Sequence, residues 1–127
     1  MTILIIEGDH SVLRLFADFF AANSFRTDTC NNGQCATNAI MSATHYDVIL
    51  VSYKVPGTEG IELVRLIRRL DHRKQTPILM VTGSGDIENE AFAAGVDQVL
   101  HKPLDLSTLL NTVRELASSP KKNRNHA

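Results

Sequence analysis

The chain carries almost no excess charge of either sign. Its 127 residues contain 13 Lys and Arg against 14 Asp and Glu, a formal net charge of −1. That balance argues against nucleic acid or an anionic membrane as partner of the whole chain. No apolar run approaches the roughly 20 residues of a membrane-spanning helix. The opening MTILIIEGD has no basic segment, and its apolar run is too short for a secretory signal. A cytoplasmic setting is expected. Cysteine is scarce: Cys30 and Cys35 are the only two, and neither has metal-ligand company. Two reduced thiols are the expectation, with a disulfide between them as the alternative. His10, His45, His72, His101 and His126 also lack metal-ligand spacing and read as surface residues, His10 in the first turn of a helix. There is no internal repeat, no P-loop and no GxGxxG.

What is present is the composition of an ordinary globular domain, 43% hydrophobic and 21% charged. The length fits one domain with a real core. Short apolar runs alternate with helical patterns, the signature of βαβ units. Thr2 to Ile6 reads as a strand buried on both faces. Asp9 or Ser11 caps a helix reaching about Ala22, with Val12, Leu15, Phe16, Phe19 and Phe20 on its buried face and Leu13 outside. Phe25 to Thr29 reads as a more polar strand, and NNG at Asn31 to Gly33 as a turn before a poor helix. Asp47 to Val51 is the strongest strand. Pro56, Gly57 and Gly60 punctuate a loop. In the helix that follows, Ile61, Leu63, Val64, Ile67 and Leu70 are apolar, while Arg65, Arg68 and Arg69 read as mostly solvated. Pro77 to Thr82 and Val96 to Leu100 are further strands, separated by a short helix that ends at Gly95. Asp105 or Ser107 caps a last helix carrying Leu106, Leu109, Leu110, Val113 and Leu116. The segment SSPKKNRNHA reads as a polar basic tail or linker, so the domain is placed at 1–117 and the tail at 118–127.

Five strands alternating with five helices imply an α/β three-layer sandwich of flavodoxin-like type. Its parallel sheet should have the order 2-1-3-4-5, with a crevice at the carboxyl ends of strands one and three. Across Ile3 to about Leu116, the segments ILIIEGD, YDVILVS, VPGTEG, PILMVTG, AAGVD and HKPLDL together resemble response-regulator receiver domains of CheY-like type. The resemblance implies a bacterial two-component signalling module.

The same resemblance assigns positions. The two acids expected after strand one fall on Glu7 and Gly8, beside Asp9. The aspartate that accepts a phosphoryl group falls on Ser52. The residue whose carbonyl completes the family's metal site is Lys54. Thr82 and Lys102 match the hydroxyl and the lysine that follow and bind the phosphoryl group. Lys102-Pro103 should be a cis bond. The switch aromatic of strand five falls on Val99. An intact site gathers three carboxylates against one lysine, a net of about −2 that suits a divalent ion. Here Glu7 alone faces Lys102, so the net is near zero. The expectation is a pseudo-receiver with no metal, no cofactor and no catalytic residue, in which Glu7 and Lys102 pair. Its partner would be a protein: a histidine kinase, a phosphotransfer protein or an output protein.

Two rival readings remain open at this point. An unorthodox receiver could take the phosphoryl group on Asp9 or Glu59. A small-anion or nucleotide sensor could use Ser52, Thr82, Ser84 and Lys102, although Gly83 and Gly85 beside them read first as an ordinary loop before a helix.

Overall fold

The computed structural model describes residues 1–118. The expected tail lies outside the described residues from position 119 on. Along the chain run β1 (Thr2–Ile6), α1 (His10–Ala22), β2 (Arg26–Cys30), α2 (Gly33–Met41), β3 (Val48–Ser52), β4 (Lys54–Val55), β5 (Thr58–Glu59), α3 (Gly60–Arg69), a 3-10 turn (Asp71–Arg73), β6 (Ile78–Thr82), α4 (Glu88–Ala94), β7 (Gln98–His101) and α5 (Leu106–Ser118). β4 and β5 form a two-residue antiparallel hairpin where only a loop was expected. The other five strands make one parallel sheet of order β2-β1-β3-β6-β7. Counting those strands alone, this is the expected 2-1-3-4-5 order.

Period-two alternation splits the buried strand residues into two layers. Ile3, Ile5, Val48, Leu50, Leu79 and Val81 pack against Phe16, Phe20, Leu109 and Val113 of α1 and α5. Leu4, Ile6, Ile49, Val51, Ile78 and Met80 pack against α2, α3 and α4 through residues such as Ile40, Ile61, Ile67 and Ala91. Val48, Ile49, Leu50 and Val51 are each fully buried, as a central parallel strand requires.

Three local expectations need correction. On α1, Leu15 is 51% exposed and Leu13 packs on the core with Phe16, Ala17 and Phe20. Val12, Phe16, Phe19 and Phe20 pack on the core as expected, and the inward face is a broad one that adds Leu13 and Ala17 and leaves out Leu15. Asp9, of the two candidate caps, starts the helix: its carboxylate accepts from the Ser11 and Val12 N–H groups. Arg68 is not solvated. Its Nε donates to Gly95 O, its guanidinium also donates to Thr76 O, and it pairs with Asp97 at 3.1 Å. The third correction is chemical: Cys30 and Cys35 form a disulfide, because the end of β2 and the first turn of α2 bring their Cα atoms to 5.4 Å.

Tyr46 lies just before β3, 2% exposed. The Arg73 guanidinium sits 4.7 Å from its ring centroid, and its hydroxyl donates to Asp28 at 2.7 Å. Burial, reinforced by the Asp28 carboxylate that holds the proton, pushes the phenol up to about 12. The folded state therefore keeps this proton longer than the unfolded chain, whose phenol ionises near about 10. The stability Tyr46 contributes is complete below about pH 10 and is lost as pH climbs towards 12. In a Tyr53→Phe variant, Tyr46 is the sole tyrosine. Its ultraviolet titration should then be displaced well above the ordinary phenol range; a normal midpoint would contradict this environment.

Candidate functional site

Parallel strands deliver their last residues to one edge of the sheet. Glu7 follows β1, Ser52 ends β3, Thr82 ends β6 and Lys102 follows β7. Register sets Ile6 beside Val51, Ser52 beside Val81, and Thr82 beside His101. The side chains after these pairs line one cleft of about 370 Å³, shared by Glu7, Ser52, Lys54, Thr82, Ser84 and Lys102.

Glu7 is the hub, only 3% exposed. Its Oε1 accepts from Ser52 Oγ at 2.5 Å and from Lys102 Nζ at 3.1 Å. Its Oε2 accepts from the Asp9 N–H at 2.9 Å. Both carboxylate oxygens are thus engaged, as a buried charge requires. The ion pair expected between Glu7 and Lys102 is present. Ser52 is itself 3% exposed, and its proton points at Glu7. Thr82 turns inward to its own loop, with Oγ1 accepting from the Ser84 N–H at 2.9 Å. The Lys102 N–H donates to Thr82 O at 2.7 Å, and the Lys102-Pro103 bond is cis.

The remaining predicted positions sit around this hub. Asp9 is exposed and occupied as the cap of α1. Lys54 is exposed on the β4–β5 hairpin. It borders both the cleft above and a second one of about 620 Å³ that includes Glu7, Gly8, Asp9, Pro56 and Glu59. Val99 is buried in the core on the α4 side. Gly8 explains how tightly the loops close here. A Cβ at this residue would lie 2.5 Å from Pro56 Cδ, so the proline ring fills the direction a side chain would take. Sequence reasoning did not foresee this contact. The only available signal was a glycine and a proline in two loops that the topology sets side by side.

An open five-stranded α/β sheet with an acid, two hydroxyls and a lysine at its carboxyl edge defines a flavodoxin-like domain with its polar crevice at the switch point. Residues 3–114 match the model of the response regulator receiver domain, and the chain belongs to that family. The transcriptional regulatory protein ResD of Bacillus subtilis is 33% identical over 116 residues, covering 90% of this chain and 47% of ResD. The regulatory protein AtoC of Escherichia coli is 31% identical over 109 residues, covering 84% of this chain and 23% of AtoC. The chain thus spans about half or less of the length of these curated relatives. A response regulator structure from Chloroflexus aurantiacus superposes with a TM-score of 0.85 at 26% identity, covering 93% of this chain and 98% of that one. The chemotaxis response regulator CheY4 of Vibrio cholerae superposes with a TM-score of 0.82 at 26% identity, covering 91% and 97%. Among the described residues no helix is long and apolar enough to cross a membrane.

Proposed function

We propose that this receiver domain is a pseudo-receiver: a cytoplasmic, non-enzymatic module of a bacterial two-component system that signals by protein contact without Mg²⁺-dependent aspartyl phosphorylation. Ser52 stands at the acceptor position, Gly8 at the second acid, Lys54 at the carbonyl ligand, Val99 at the switch aromatic, and Thr82 and Lys102-Pro103 at the phosphoryl-binding positions. The partner class is a histidine kinase, a phosphotransfer protein or an output protein.

The observation that carries this reading is the sharing of Glu7 Oε1 between Ser52 and Lys102. A serine hydroxyl cannot become the acyl phosphate of a carboxylate. The lysine that would meet an incoming phosphoryl group is tied to the acid that would meet a cation. The family's divalent ion fits these residues poorly. Mg²⁺ demands near-octahedral oxygen ligation, and Pro56 closes off the direction in which residue 8 would supply a ligand. Among the described residues no group of three or more His, Cys, Asp or Glu is placed to hold a metal. Anion sensing is disfavoured at the nearest helix start: α4 has only seven residues and carries Glu88 and Glu90 in its first turn.

Incubation with acetyl phosphate and Mg²⁺, read by intact mass, tests the proposal. The expected result is no phosphoryl adduct. A hydroxylamine-labile adduct mapped to Asp9 or Glu59 would replace it with the unorthodox receiver. A thermal shift with phosphate, nucleotides or flavins would replace it with the anion sensor.

A further inference from the structure

The Cys30–Cys35 pair stands next to the candidate site and takes no part in it. Cys30 is the last residue of β2, 4% exposed, and packs in the α2–α4 side of the core. Cys35 lies in the first turn of α2 and is half-buried. Two hydrogen bonds connect the bridged segment to opposite sides of the crevice. The Cys30 carbonyl accepts from the Glu7 N–H at 3.0 Å. The Gly33 N–H, between the two cysteines, donates to Pro56 O at 2.8 Å. Contact at the second point is close: a Cβ on Gly33 would stand 2.7 Å from Thr58 Cγ2. Pro56 in turn is the residue whose ring covers Gly8. One short covalent loop therefore sets the backbone on which Glu7 begins and the loop that closes over the crevice.

We propose that Cys30–Cys35 is a redox-reactive site, exchanging with small dithiols and disulfides, whose state is transmitted to Glu7 and to the Pro56–Thr58 loop. The half-buried Cys35 Sγ is the accessible sulfur, so an incoming thiolate attacks there. The Cys30–Cys35 bond breaks, and Cys30 leaves as a thiolate and takes up a proton. The second thiol of the reductant then attacks its own sulfur in the mixed disulfide and releases Cys35. Two electrons and two protons pass from the dithiol, which ends as a cyclic disulfide. Released Cys35 stays in the first turn of a nine-residue helix, its N–H donating to the cap Asn32. Cys35 Sγ lies 3.7 Å from Thr29 O, an acceptor that a released thiol can use. A disulfide that served only as a staple would leave the crevice indifferent to its reduction.

The test uses the full chain, equilibrated with oxidised or reduced dithiothreitol. Thiols are counted by alkylation and mass, and backbone resonances and amide exchange are recorded in each state. Oxidised protein should take no alkyl group and reduced protein two. Reduction should move the amide resonances of Glu7, Gly8, Gly33, Gly57 and Thr58 while leaving Gln98 and Val99 in place. Protection of the Glu7 and Gly33 amides should fall by about tenfold. A Cys35→Ser variant should show the reduced pattern under both conditions; Cys35 is chosen over the core residue Cys30 so that folding is kept. Two alkylated thiols after oxidation would overturn the site. Shifts confined to residues 29–36 would overturn the transmission. No phosphoryl donor and no partner enter the experiment, so its failure leaves the proposed function standing.

Discussion

Arg73→Ala is expected to remove about 3–5 kcal/mol of folding free energy, the range for stripping one member from a buried, fully engaged polar network. Arg73 is 1% exposed. Its Nε donates to Ile40 O at 3.0 Å, Nη1 to Thr44 O at 2.7 Å, and Nη2 to Ala39 O and Ser42 O at 3.2 and 2.9 Å. These carbonyls belong to the last turn of α2 and the chain leaving it, where, among the described residues, the only backbone donor to any of the four is the Ser42 N–H, to Ala39 O. A cation there also opposes the negative end of the helix. Burial pulls the Arg73 pKa below the ordinary arginine value, partly offset by Tyr46, yet a guanidinium stays charged at neutral pH. Alanine would strip the donor from Ile40 O and Thr44 O, leave Ala39 O to Ser42 and Ser42 O to His72, and empty the space above the Tyr46 ring. Arg73→Lys keeps the charge but replaces a planar fork with three donors on one nitrogen, so it should recover less than half of the loss. Urea unfolding of the three proteins measures this. A loss below about 1 kcal/mol for alanine, with an unchanged m-value, would show that water replaces the fork at little cost.

Arg73 also shows what could and could not be read in the chain. The five sheet strands were legible because uninterrupted runs such as VILV admit no solvated face, and alternating β and α patterns leave few topologies. The Glu7–Lys102 pair was legible from charge counting, once the family resemblance had put both residues at one sheet edge. Buried arginines were not. Arg68 and Arg73 look like surface charge, because their partners are mainly backbone carbonyls, which no side-chain pattern announces. The Arg73 bond to Ile40 spans 33 residues of chain. On α1, seven apolar residues among Val12 to Phe20 cover more than one face, and packing against the sheet decides that Leu15 is the one left outside. The Cys30–Cys35 bridge was weighed by compartment, whereas the deciding factor is the distance from the end of β2 to the start of α2. Gly8 was read as a lost ligand. Its second consequence, that Pro56 moves into the vacated direction, depends on two loops meeting.

That second consequence governs attempts to rebuild phosphorylation. Ser52→Asp alone should label weakly or not at all with acetyl phosphate and Mg²⁺. Ser52 Oγ already lies 2.5 Å from Glu7 Oε1, so an aspartate built there faces a second buried carboxylate with Lys102 as the shared cation. Like charges at that separation do not both ionise readily, and the pair retains a proton. The variant should be less stable by about 1–3 kcal/mol at neutral pH. The folded-state pKa of the pair is raised, so stability should recover as pH falls through it towards the ordinary carboxylate range. Adding Gly8→Asp supplies the missing acid, but the new Cβ meets Pro56 Cδ at 2.5 Å, and the Pro56 loop must retreat by about an ångström to reach ordinary contact. The double variant should therefore be the least stable of the series without Mg²⁺. Saturating Mg²⁺ should raise its thermal midpoint by about 5–10 °C and leave the wild type unmoved. Phosphoryl transfer depends chiefly on positioning and on cations that neutralise developing charge. Labelling should accordingly rise far more from single to double variant than from wild type to Ser52→Asp. Strong labelling of Ser52→Asp alone would show that an acid at position 8 matters little. A folded double variant that neither labels nor responds to Mg²⁺ would place the remaining defect in the Pro56 loop or in Lys54 at its rim.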